Sequence, residues 1–503
     1  MKTQKTADAL VEKREAGILL AVSSLPAPYG IGTFGKCAYE WVDFLKKAGQ
    51  CYWQILPLGP TSWGDSPYQS FSAFALNPYY IDLDILVKDG LLTAKELKKW
   101  SWGGDSAKVD YAALYQNRRE CLRAAFRGLK MDTAYMRFCG KTSDWLTDYA
   151  LFMTIKDTQG GKSFLQWPEK LKKHDNETLN KIKKEYKDSV QYYFFEQYIA
   201  HKQWDELARY ARKNNISIIG DMPIYVALDS ADVWAHSGFF DLKADMQPAA
   251  VAGCPPDPFA KNGQLWGNPL YNWDAIRRDG FVWWRRRLNE SFTLYDVLRI
   301  DHFRGFESYY TVNAGVKSAK DGVWKPGPGI DFVNMIREHF PGKKIIAEDL
   351  GYQTPELKKF LAKSGFPGTK VLQFAFDSRE KANALYMPYN YEQNSVVYTG
   401  THDNCTSAAW PENANEKDRL YAEKFLNVQK GNWAQAFVNA ALMSPSRTAI
   451  IPFQDYLGLG NEARMNVPAT IGGGNWRYRV KKTDINDKLA KEIAHLTEFS
   501  GRL

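Results

Sequence analysis

The chain has 503 residues, 45% of them hydrophobic and 24% charged, a composition typical of globular proteins that excludes disordered and collagen-like classes. Its net charge of +9 is modest for this length, and the lysines of segment 162–187 are interleaved with Glu and Asp. That pattern is typical of exposed helix faces, so we expect no nucleic-acid partner. No run of 18 apolar residues occurs, and the first 17 residues have no apolar signal segment. We therefore expect neither a membrane span nor secretion.

The cysteine, histidine and aromatic residues give expectations about the compartment, metal binding and the kind of ligand. Six cysteines show no CxxC pair or regular framework, which favours a reducing compartment and predicts a cytoplasmic protein. The seven histidines form no HExxH or similar spacing, so the sequence predicts no metal site. The aromatic content of 14% includes 17 Trp and 28 Tyr. Most aromatic residues pack cores, but sugars also have apolar faces that stack on rings, so the excess also suits a carbohydrate site.

Eight apolar runs along the chain predict buried strands. Most of these runs are continuous and not alternating, as expected for strands covered on both faces. The runs lie at 17–25, 51–58, 216–224, 295–303, 344–350, 369–376, 395–403 and 448–455. Helical patterns separate them, for example at 38–49, 333–340 and 355–365, the last with Pro355 at its start and Gly365 at its end. The alternation predicts an α/β fold, a (β/α)8 TIM barrel.

The uneven spacing of the runs predicts insertions in a single domain that spans 1–503. The second and third runs are too far apart for one crossover helix, so we expect a helical insertion at about 60–190. Shorter insertions are expected at 225–294 and 404–447, after the third and seventh strands. All begin at the C-terminal ends of strands, the face on which such barrels build their sites. No run of strands follows the eighth, so no C-terminal β-sandwich is expected.

Three of the runs end on a carboxylate, at Asp301, Glu348 and Asp403. Burying a carboxylate is costly unless a partner pairs with it or the site uses it, so the three predict one polar site at the barrel mouth. Arg299 lies two residues before Asp301 and therefore points to the same side of the strand. A guanidinium there would keep Asp301 ionised and oriented, as attack on an anomeric carbon requires, although a structural ion pair is the alternative.

Glu348 is expected beside Asp301, because the fourth and fifth strands are neighbours in the barrel. Adjacent strands lie about 4.8 Å apart, and retaining glycosidases hold their two carboxyl groups about 5–5.5 Å apart. The spacing therefore favours a covalent glycosyl intermediate. Repulsion from Asp301 would raise the pKa of Glu348, which suits a proton donor. The adjacent Asp349 is the better candidate for the N-cap of the next helix.

Polar and aromatic residues of the loops complete the candidate site. His402 and Asp403 stand together in THDN, expected across the barrel mouth from the other two carboxylates, where Asp403 could bind sugar hydroxyls; an Asx turn is the alternative. Asp221 ends the third strand, before Pro223, and a simple turn is equally consistent with it. Tyr68 and Trp266 lie in aromatic loops without periodicity and could be platforms for sugars.

Taken in order, these motifs resemble the 4-α-glucanotransferases, also called amylomaltases or disproportionating enzymes, of glycoside hydrolase family 77. The resemblance runs from about 17 to 480 and rests on SPYQSFSAFALNP, GDMPIYVALDSADVW, QLWGNPLYNW, RIDHFRG, IAEDLG, TGTHDN and FQDYLGLGNEARMN. It implies a (β/α)8 barrel of the α-amylase clan without a C-terminal β-sandwich. It also implies Asp301 as nucleophile, Glu348 as general acid/base and Asp403 as the carboxylate that stabilises the transition state.

The resemblance implies further roles for the residues that would bind substrate. Arg299 and His402 match residues that support the nucleophile and bind sugar hydroxyls. Asp221 matches a carboxylate that contacts the donor sugar, and Tyr68 an aromatic that stacks under it. Trp266 and the loop 253–268 match a mobile loop that shapes the acceptor side.

The expected activity is transfer of a segment of an α-1,4-glucan to the 4-hydroxyl of an acceptor. The expected partners are α-1,4-glucans and maltodextrins, with maltose and glucose as acceptors, and no cofactor, nucleic acid or membrane. Two alternatives remain open at this stage: an α-amylase-like glucan hydrolase and a catalytically silent glucan-binding protein.

Overall fold

The computed structural model describes residues 13–62, 64–256, 260–379 and 383–503. Within this part of the chain, eight parallel strands close into a barrel in which each strand lies between its neighbours in sequence. The strands are β1 Glu15–Leu19, β2 Tyr52–Gln54, β3 Ser217–Pro223, β4 Val297–Asp301, β5 Lys344–Ala347, β6 Gly368–Val371, β7 Ser395–Tyr398 and β8 Thr448–Pro452. The predicted (β/α)8 barrel is therefore confirmed.

Several strands end earlier than the apolar runs indicated. The run after β6 continues as a 3₁₀ helix, Leu372–Phe376, and the run after β8 as the helix Phe453–Tyr456. Glu348 directly follows β5, as expected, but Asp403 does not stand at the tip of β7, which ends five residues earlier at Tyr398. The chain turns there because the side chain of Asn404 accepts a hydrogen bond from the backbone N–H of Thr401 at 2.9 Å.

Helices cover the outside of the barrel. One of them, Pro355–Ser364, shows how the local sequence sets its ends: Thr354 caps its first turn by accepting from Leu357 N at 3.1 Å, and Gly365 ends it with φ of 70°. The other helices outside the segment between β2 and β3 are Lys36–Lys47, Ala231–Ala235, Trp273–Arg278, Val282–Leu294, Ile330–His339, Trp410–Asn413, Glu416–Phe425, Trp433–Met443, Phe453–Tyr456 and Asp487–Phe499.

The segment between β2 and β3 is largely helical. Its last helix, Lys187–Lys213, has 27 residues and leads directly into β3. The preceding helices are Leu83–Lys88, Ala94–Leu97, Tyr111–Phe126, Thr133–Lys141, Ser143–Thr158, Glu169–Lys172 and Asn176–Glu185. The organisation as one domain with three insertions stays a prediction. Short 3₁₀ helices occur at Val22–Ser24, Pro78–Tyr80, Phe164–Gln166, Ser237–Phe239, Phe303–Phe306, Leu372–Phe376, Asn383–Tyr386, Pro388–Asn390, Asn461–Ala463 and Lys482–Asp484.

A second, antiparallel sheet lies beside the barrel, and the sequence analysis does not anticipate it. Its strands are Gln264–Pro269, Ala250–Cys254, Ser308–Asn313 and Val323–Pro326, in that spatial order. Two strands precede β4 in sequence and two follow it. The sheet therefore depends on pairing between segments on either side of a barrel strand, for example Ala250 with Asn313. We call it the side sheet. Among the described residues no helix has the length and apolar character needed to cross a membrane.

Candidate active site

Arg299 on β4 lies between two carboxylates. Its Nη1 donates to Asp221 Oδ1 at 2.6 Å and to Asp301 Oδ1 at 3.1 Å. Asp221 ends up there because β3 pairs with β4 in register, placing Asp221 opposite Arg299. The Asp221 side chain has no exposed surface, whereas that of Asp301 is 27% exposed. Asp301 is therefore the carboxylate of this pair that a ligand can reach.

Glu348 lies on the strand next to Asp301. The predicted adjacency of the fourth and fifth strands is confirmed by the pairing of Ile300 with Ala347. Glu348 Oε2 accepts from the backbone N–H of His302 at 2.7 Å, and Oε1 accepts from that of Leu350 at 2.7 Å. Its side chain is buried. Two backbone donors therefore fix the carboxyl group beside the end of β4.

His302 is a site residue that sequence reasoning missed. It follows Asp301 in a left-handed conformation with φ of 51°, which is costly for a residue with a side chain and is concentrated at functional sites. This turn points its backbone N–H at Glu348 and places its ring edge-on to Trp266, with ring centroids 4.8 Å apart. Only the motif RIDHFRG could have pointed to it, because no local pattern predicts the turn.

The protonation of the two central carboxyl groups follows from burial and from Arg299. Burial raises the pKa of Glu348, and the Arg299 charge and the two backbone N–H donors oppose the shift. Burial also raises the pKa of Asp301, opposed by Arg299 and reinforced by Asp221 and Glu348. Two such groups bind protons as a coupled pair. The direct Arg299 contact favours the charged form of Asp301, and the two backbone N–H donors favour that of Glu348.

Tyr68 and His402 form the side of the site that faces β3. The hydroxyl of Tyr68 donates to Asp221 Oδ2 at 2.6 Å, and its ring stacks on His402 at 5.0 Å between centroids with 18° between the planes. Trp476, to which the sequence analysis assigned no role, lies 5.7 Å from Tyr68 and 6.0 Å from His402. Burial lowers the pKa of His402, so its imidazole is neutral and can exchange hydrogen bonds with hydroxyl groups.

Asp403 is the most open of the carboxylates, with a side chain 45% exposed. Its Oδ1 accepts from Asn466 Nδ2 at 2.7 Å and lies 3.4 Å from His402 Nε2. Arg464 donates to the backbone carbonyl of Asp403 at 2.6 Å, which fixes the turn. Asn466 and Arg464 are also residues that the sequence analysis passed over, although both stand in the quoted motif GLGNEARMN. Strand β7 lies two places from β5 around the barrel.

Asp349 does not have the capping role suggested for it. Its Oδ1 accepts from the backbone N–H of Thr369 at 2.7 Å, so it stabilises the start of β6, and the next helix is capped by Thr354. The suggestion fails because Thr354, the cap, is the fifth residue after Asp349, a distance that the sequence pattern did not resolve. Glu348 and Asp349 nevertheless face different neighbours, as expected for adjacent residues.

All eight residues predicted for the site are close together. Direct contacts join Arg299 to Asp221 and Asp301, and continue through Tyr68, His402 and Asp403. His302 joins Glu348 and Trp266 to this group. Of the loop 253–268, residues 257–259 lie outside the described residues. In the described ranges no group of three His, Cys, Asp or Glu side chains is arranged to hold a metal ion.

The geometry allows acid and nucleophilic catalysis at a single bond. A partly exposed carboxylate next to a buried one on the adjacent strand is compatible with the arrangement of a retaining glycosidase. Comparison with known proteins gives the family. The family profile described as 4-alpha-glucanotransferase matches residues 20–484. The chain belongs to the 4-alpha-glucanotransferase family.

Individual relatives agree over nearly their whole length. The 4-alpha-glucanotransferase of Clostridium butyricum is 46% identical over 488 residues, covering 96% of this chain and 99% of the relative. The 4-alpha-glucanotransferase of Thermus thermophilus is 41% identical over 506 residues, covering 97% of this chain and 99% of the relative. The solved amylomaltase from Streptococcus agalactiae superposes with a TM-score of 0.94 at 39% identity, covering 97% of this chain and 100% of that one. The predicted activity, 4-α-glucanotransferase, is thereby confirmed. The two alternatives, a glucan hydrolase and a catalytically silent glucan-binding protein, are not supported.

Proposed function

We propose that the transferase works by double displacement with Asp301 as nucleophile and Glu348 as general acid/base. The observation that supports this most is the asymmetry of the two carboxyl groups. Asp301 contacts the Arg299 guanidinium at 3.1 Å and is partly exposed, whereas Glu348 is buried and is held by two backbone N–H donors. Burial raises the pKa of both carboxyl groups. One group is therefore suited to attack and the other to donate a proton.

In the first step an Asp301 oxygen attacks C1 of the donor glucosyl unit. The bond from C1 to the O4 oxygen of the next unit breaks, and the proton of Glu348 passes to that oxygen, releasing the leaving segment. In the second step the 4-hydroxyl of an acceptor attacks C1. Its proton passes to the Glu348 carboxylate, and the bond between C1 and Asp301 breaks. One glycosidic bond has been exchanged for another, and the enzyme has returned to its initial protonation state.

The remaining site residues are proposed to bind the donor sugar. Asp403 is open enough to accept hydrogen bonds from sugar hydroxyls and to stabilise positive charge at C1. His402 and Asp221 would hydrogen-bond further hydroxyls, and Tyr68 would lie under the ring. Trp266 would shape the acceptor side. These residues come from strand β3, from the loops that follow β2 and β7, and from the side sheet, so a bound chain would be enclosed and water excluded, which favours transfer over hydrolysis.

The partners and setting follow as proposals from the family and the composition. We propose that α-1,4-glucans and maltodextrins are donors and that maltose and glucose serve as acceptors. The complex of the Streptococcus agalactiae amylomaltase with acarbose supports this choice of ligand. The six cysteines in 503 residues support a cytoplasmic protein. We further propose that 1–503 form one catalytic domain, with insertions at about 60–190, 225–294 and 404–447.

Incubation with maltotriose tests the proposed chemistry. The wild type should release glucose and form a ladder of longer maltodextrins, separated by chromatography. Asp301→Asn should lower kcat by about 10⁴-fold or more, as loss of a catalytic nucleophile does. Asp487→Asn, which alters an exposed carboxylate paired with Lys47, is the matched control and should behave as wild type. Wild-type rates in Asp301→Asn would show that the nucleophile is wrongly assigned.

A further inference from the structure

Two exposed aromatic side chains lie next to each other, and one of them follows Glu348 by four residues. Tyr352 is 64% exposed and Trp324 is 36% exposed. Their ring centroids are 6.4 Å apart, and 28° separates the ring planes. Large aromatic groups exposed side by side cost free energy in water, and such patches commonly mark a binding surface. We call this pair the aromatic platform.

A buried arginine holds the platform in place. The guanidinium carbon of Arg304 lies 4.0 Å from the ring centroid of Trp324, a cation–π contact that covers one face of the ring. Arg304 also donates to the backbone carbonyl of Tyr352 and, at 3.1 Å, to Ser308 Oγ. The ring of Tyr310 packs against Trp324 at 5.2 Å. The platform is therefore ordered before any ligand arrives, which lowers the entropic cost of binding.

The platform is built on the same strand ends as the catalytic pair. Arg304 follows Asp301 by three residues after β4, and Tyr352 follows Glu348 by four residues after β5. Trp324 stands on the edge strand of the side sheet, Val323–Pro326. The platform therefore lies on the side of Glu348, whereas the donor-binding residues come from β3 and from the loops that follow β2 and β7.

The position of Glu348 decides which part of a glucan meets the platform. The acid/base residue protonates the oxygen of the leaving segment and later deprotonates the acceptor, so the space beyond it is occupied first by one and then by the other. A glucan chain that continued past the reacting bond towards the loop that follows β5 would meet Tyr352 and Trp324. Glucosyl rings have apolar faces that stack on aromatic rings, whereas neither ring offers a charge to an ionic ligand.

We propose that Trp324 and Tyr352 form a stacking platform for glucosyl units of the leaving segment and the acceptor, beyond the unit that reacts. The ligand is an α-1,4-glucan long enough to extend past Glu348, and glucose is too short to reach the platform. This inference rests on the proposed function, because it uses the role of Glu348. It makes the aromatic platform a determinant of acceptor length.

Transfer to two acceptors of different length tests the platform. Initial rates are measured with a fixed maltodextrin donor and either glucose or maltopentaose as labelled acceptor. Tyr352→Ala keeps the carbonyl that Arg304 binds, so it removes the ring alone. We expect its KM for maltopentaose to rise about fivefold to tenfold, with the KM for glucose unchanged. Trp324→Ala should also raise the KM for maltopentaose. Tyr352→Phe, which keeps the ring, should behave as wild type.

Tyr389→Ala is the matched control. Tyr389 is 67% exposed and also lies 6.4 Å from one aromatic neighbour, Phe425, but it is not joined to the site residues described above. It should leave both KM values unchanged. An equal rise of both KM values in Tyr352→Ala, or no rise in either, would overturn the proposal, and the first result would indicate a structural role.

A binding measurement separates failure of the platform from failure of the proposed chemistry. Maltopentaose is titrated calorimetrically into Asp301→Asn and into Asp301→Asn combined with Tyr352→Ala. A Kd about fivefold to tenfold higher in the double variant supports the platform whether or not Asp301 is the nucleophile. Equal Kd values would overturn it, even if Asp301→Asn has lost all transfer activity. A platform that instead binds a protein partner would give this second result.

Discussion

Replacing Arg299 by leucine should destabilise the fold through Asp221 more than through Asp301. Arg299 donates to Asp221 Oδ1 at 2.6 Å, and the Asp221 side chain has no exposed surface, so water cannot replace the guanidinium. Asp301 is 27% exposed and can be rehydrated. The variant therefore leaves a buried carboxylate whose remaining described hydrogen bond is the hydroxyl of Tyr68, a donor without charge.

The magnitude follows from the burial and the chain length. Removing one partner of a buried ion pair costs about 3–5 kcal/mol. A chain of 503 residues that unfolds in one transition has an unfolding entropy of about 1 kcal/mol per kelvin. The expected decrease in Tm is therefore about 3–5 °C. Combining Arg299→Leu with Asp221→Asn removes the unpaired charge, so the double variant should recover more than half of this decrease.

Differential scanning calorimetry of the wild type, both single variants and the double variant measures this coupling. The effects of the two substitutions should not be additive, since both affect one ion pair. A decrease below about 1 °C in Arg299→Leu would show that Asp221 does not depend on the guanidinium. If the Tm decrease of the double variant equalled the sum of the decreases of the two single variants, Arg299 and Asp221 would not be coupled.

Two further predictions concern hydrogen bonds to single carboxyl groups. Asn466→Ala removes the amide that donates to Asp403 Oδ1 at 2.7 Å, so kcat/KM for maltotriose should fall about tenfold. Its Tm should change by less than about 1 °C, because Asp403 is exposed enough for water to replace the amide. Glu196→Gln keeps an oxygen that can accept the hydrogen bond from the Tyr192 hydroxyl. We expect the effect of this substitution on stability to depend on pH. Burial raises the pKa of Glu196 to about 7, above the unfolded value of about 4.3, so its contribution to stability is present below pH 4.3 and is lost as the pH rises through 7. The Tm of the variant minus that of the wild type should therefore increase by about 1–2 °C between pH 6 and pH 8.5.

Each of these has a clear contrary result. An unchanged kcat/KM in Asn466→Ala would mean that Asn466 does not orient Asp403 for catalysis. A Tm difference for Glu196→Gln that stays constant from pH 6 to pH 8.5 would mean that Glu196 does not change its charge over that range. Thermal scans in buffers of matched ionic strength serve as the control for the second, because salt screens surface charges as well.

The barrel was predictable because its signal is local. A strand buried on both faces is a continuous apolar run, and a helix that follows one has its own caps, as Thr354 and Gly365 show for Pro355–Ser364. The boundaries were less predictable. The runs after β6 and β8 remain apolar while the chain turns into a helix, so apolar character alone overestimates the length of those strands.

The proximity of Asp301 and Glu348 was predictable for a related reason. Arg299 and Asp301 are two residues apart on one strand, and Glu348 follows the strand that is next in sequence, so their proximity needed only the rule that sequential strands are neighbours. The residues that were missed all depend on contacts across loops. Asn466 meets Asp403 from 63 positions away, and no local pattern predicts that pairing.

The sequence by itself determined the class of fold, the family and the positions of the carboxylates, because these depend on continuous apolar runs, strand order and motifs that are read within a few residues. The tertiary structure decided which carboxyl group is exposed and what surrounds each of them. The left-handed turn at His302, the side sheet and the aromatic platform all arise where segments distant in sequence meet at the barrel mouth. Closure of the barrel brings those loops together, and their contacts, unlike the strands, leave no periodic pattern in the chain.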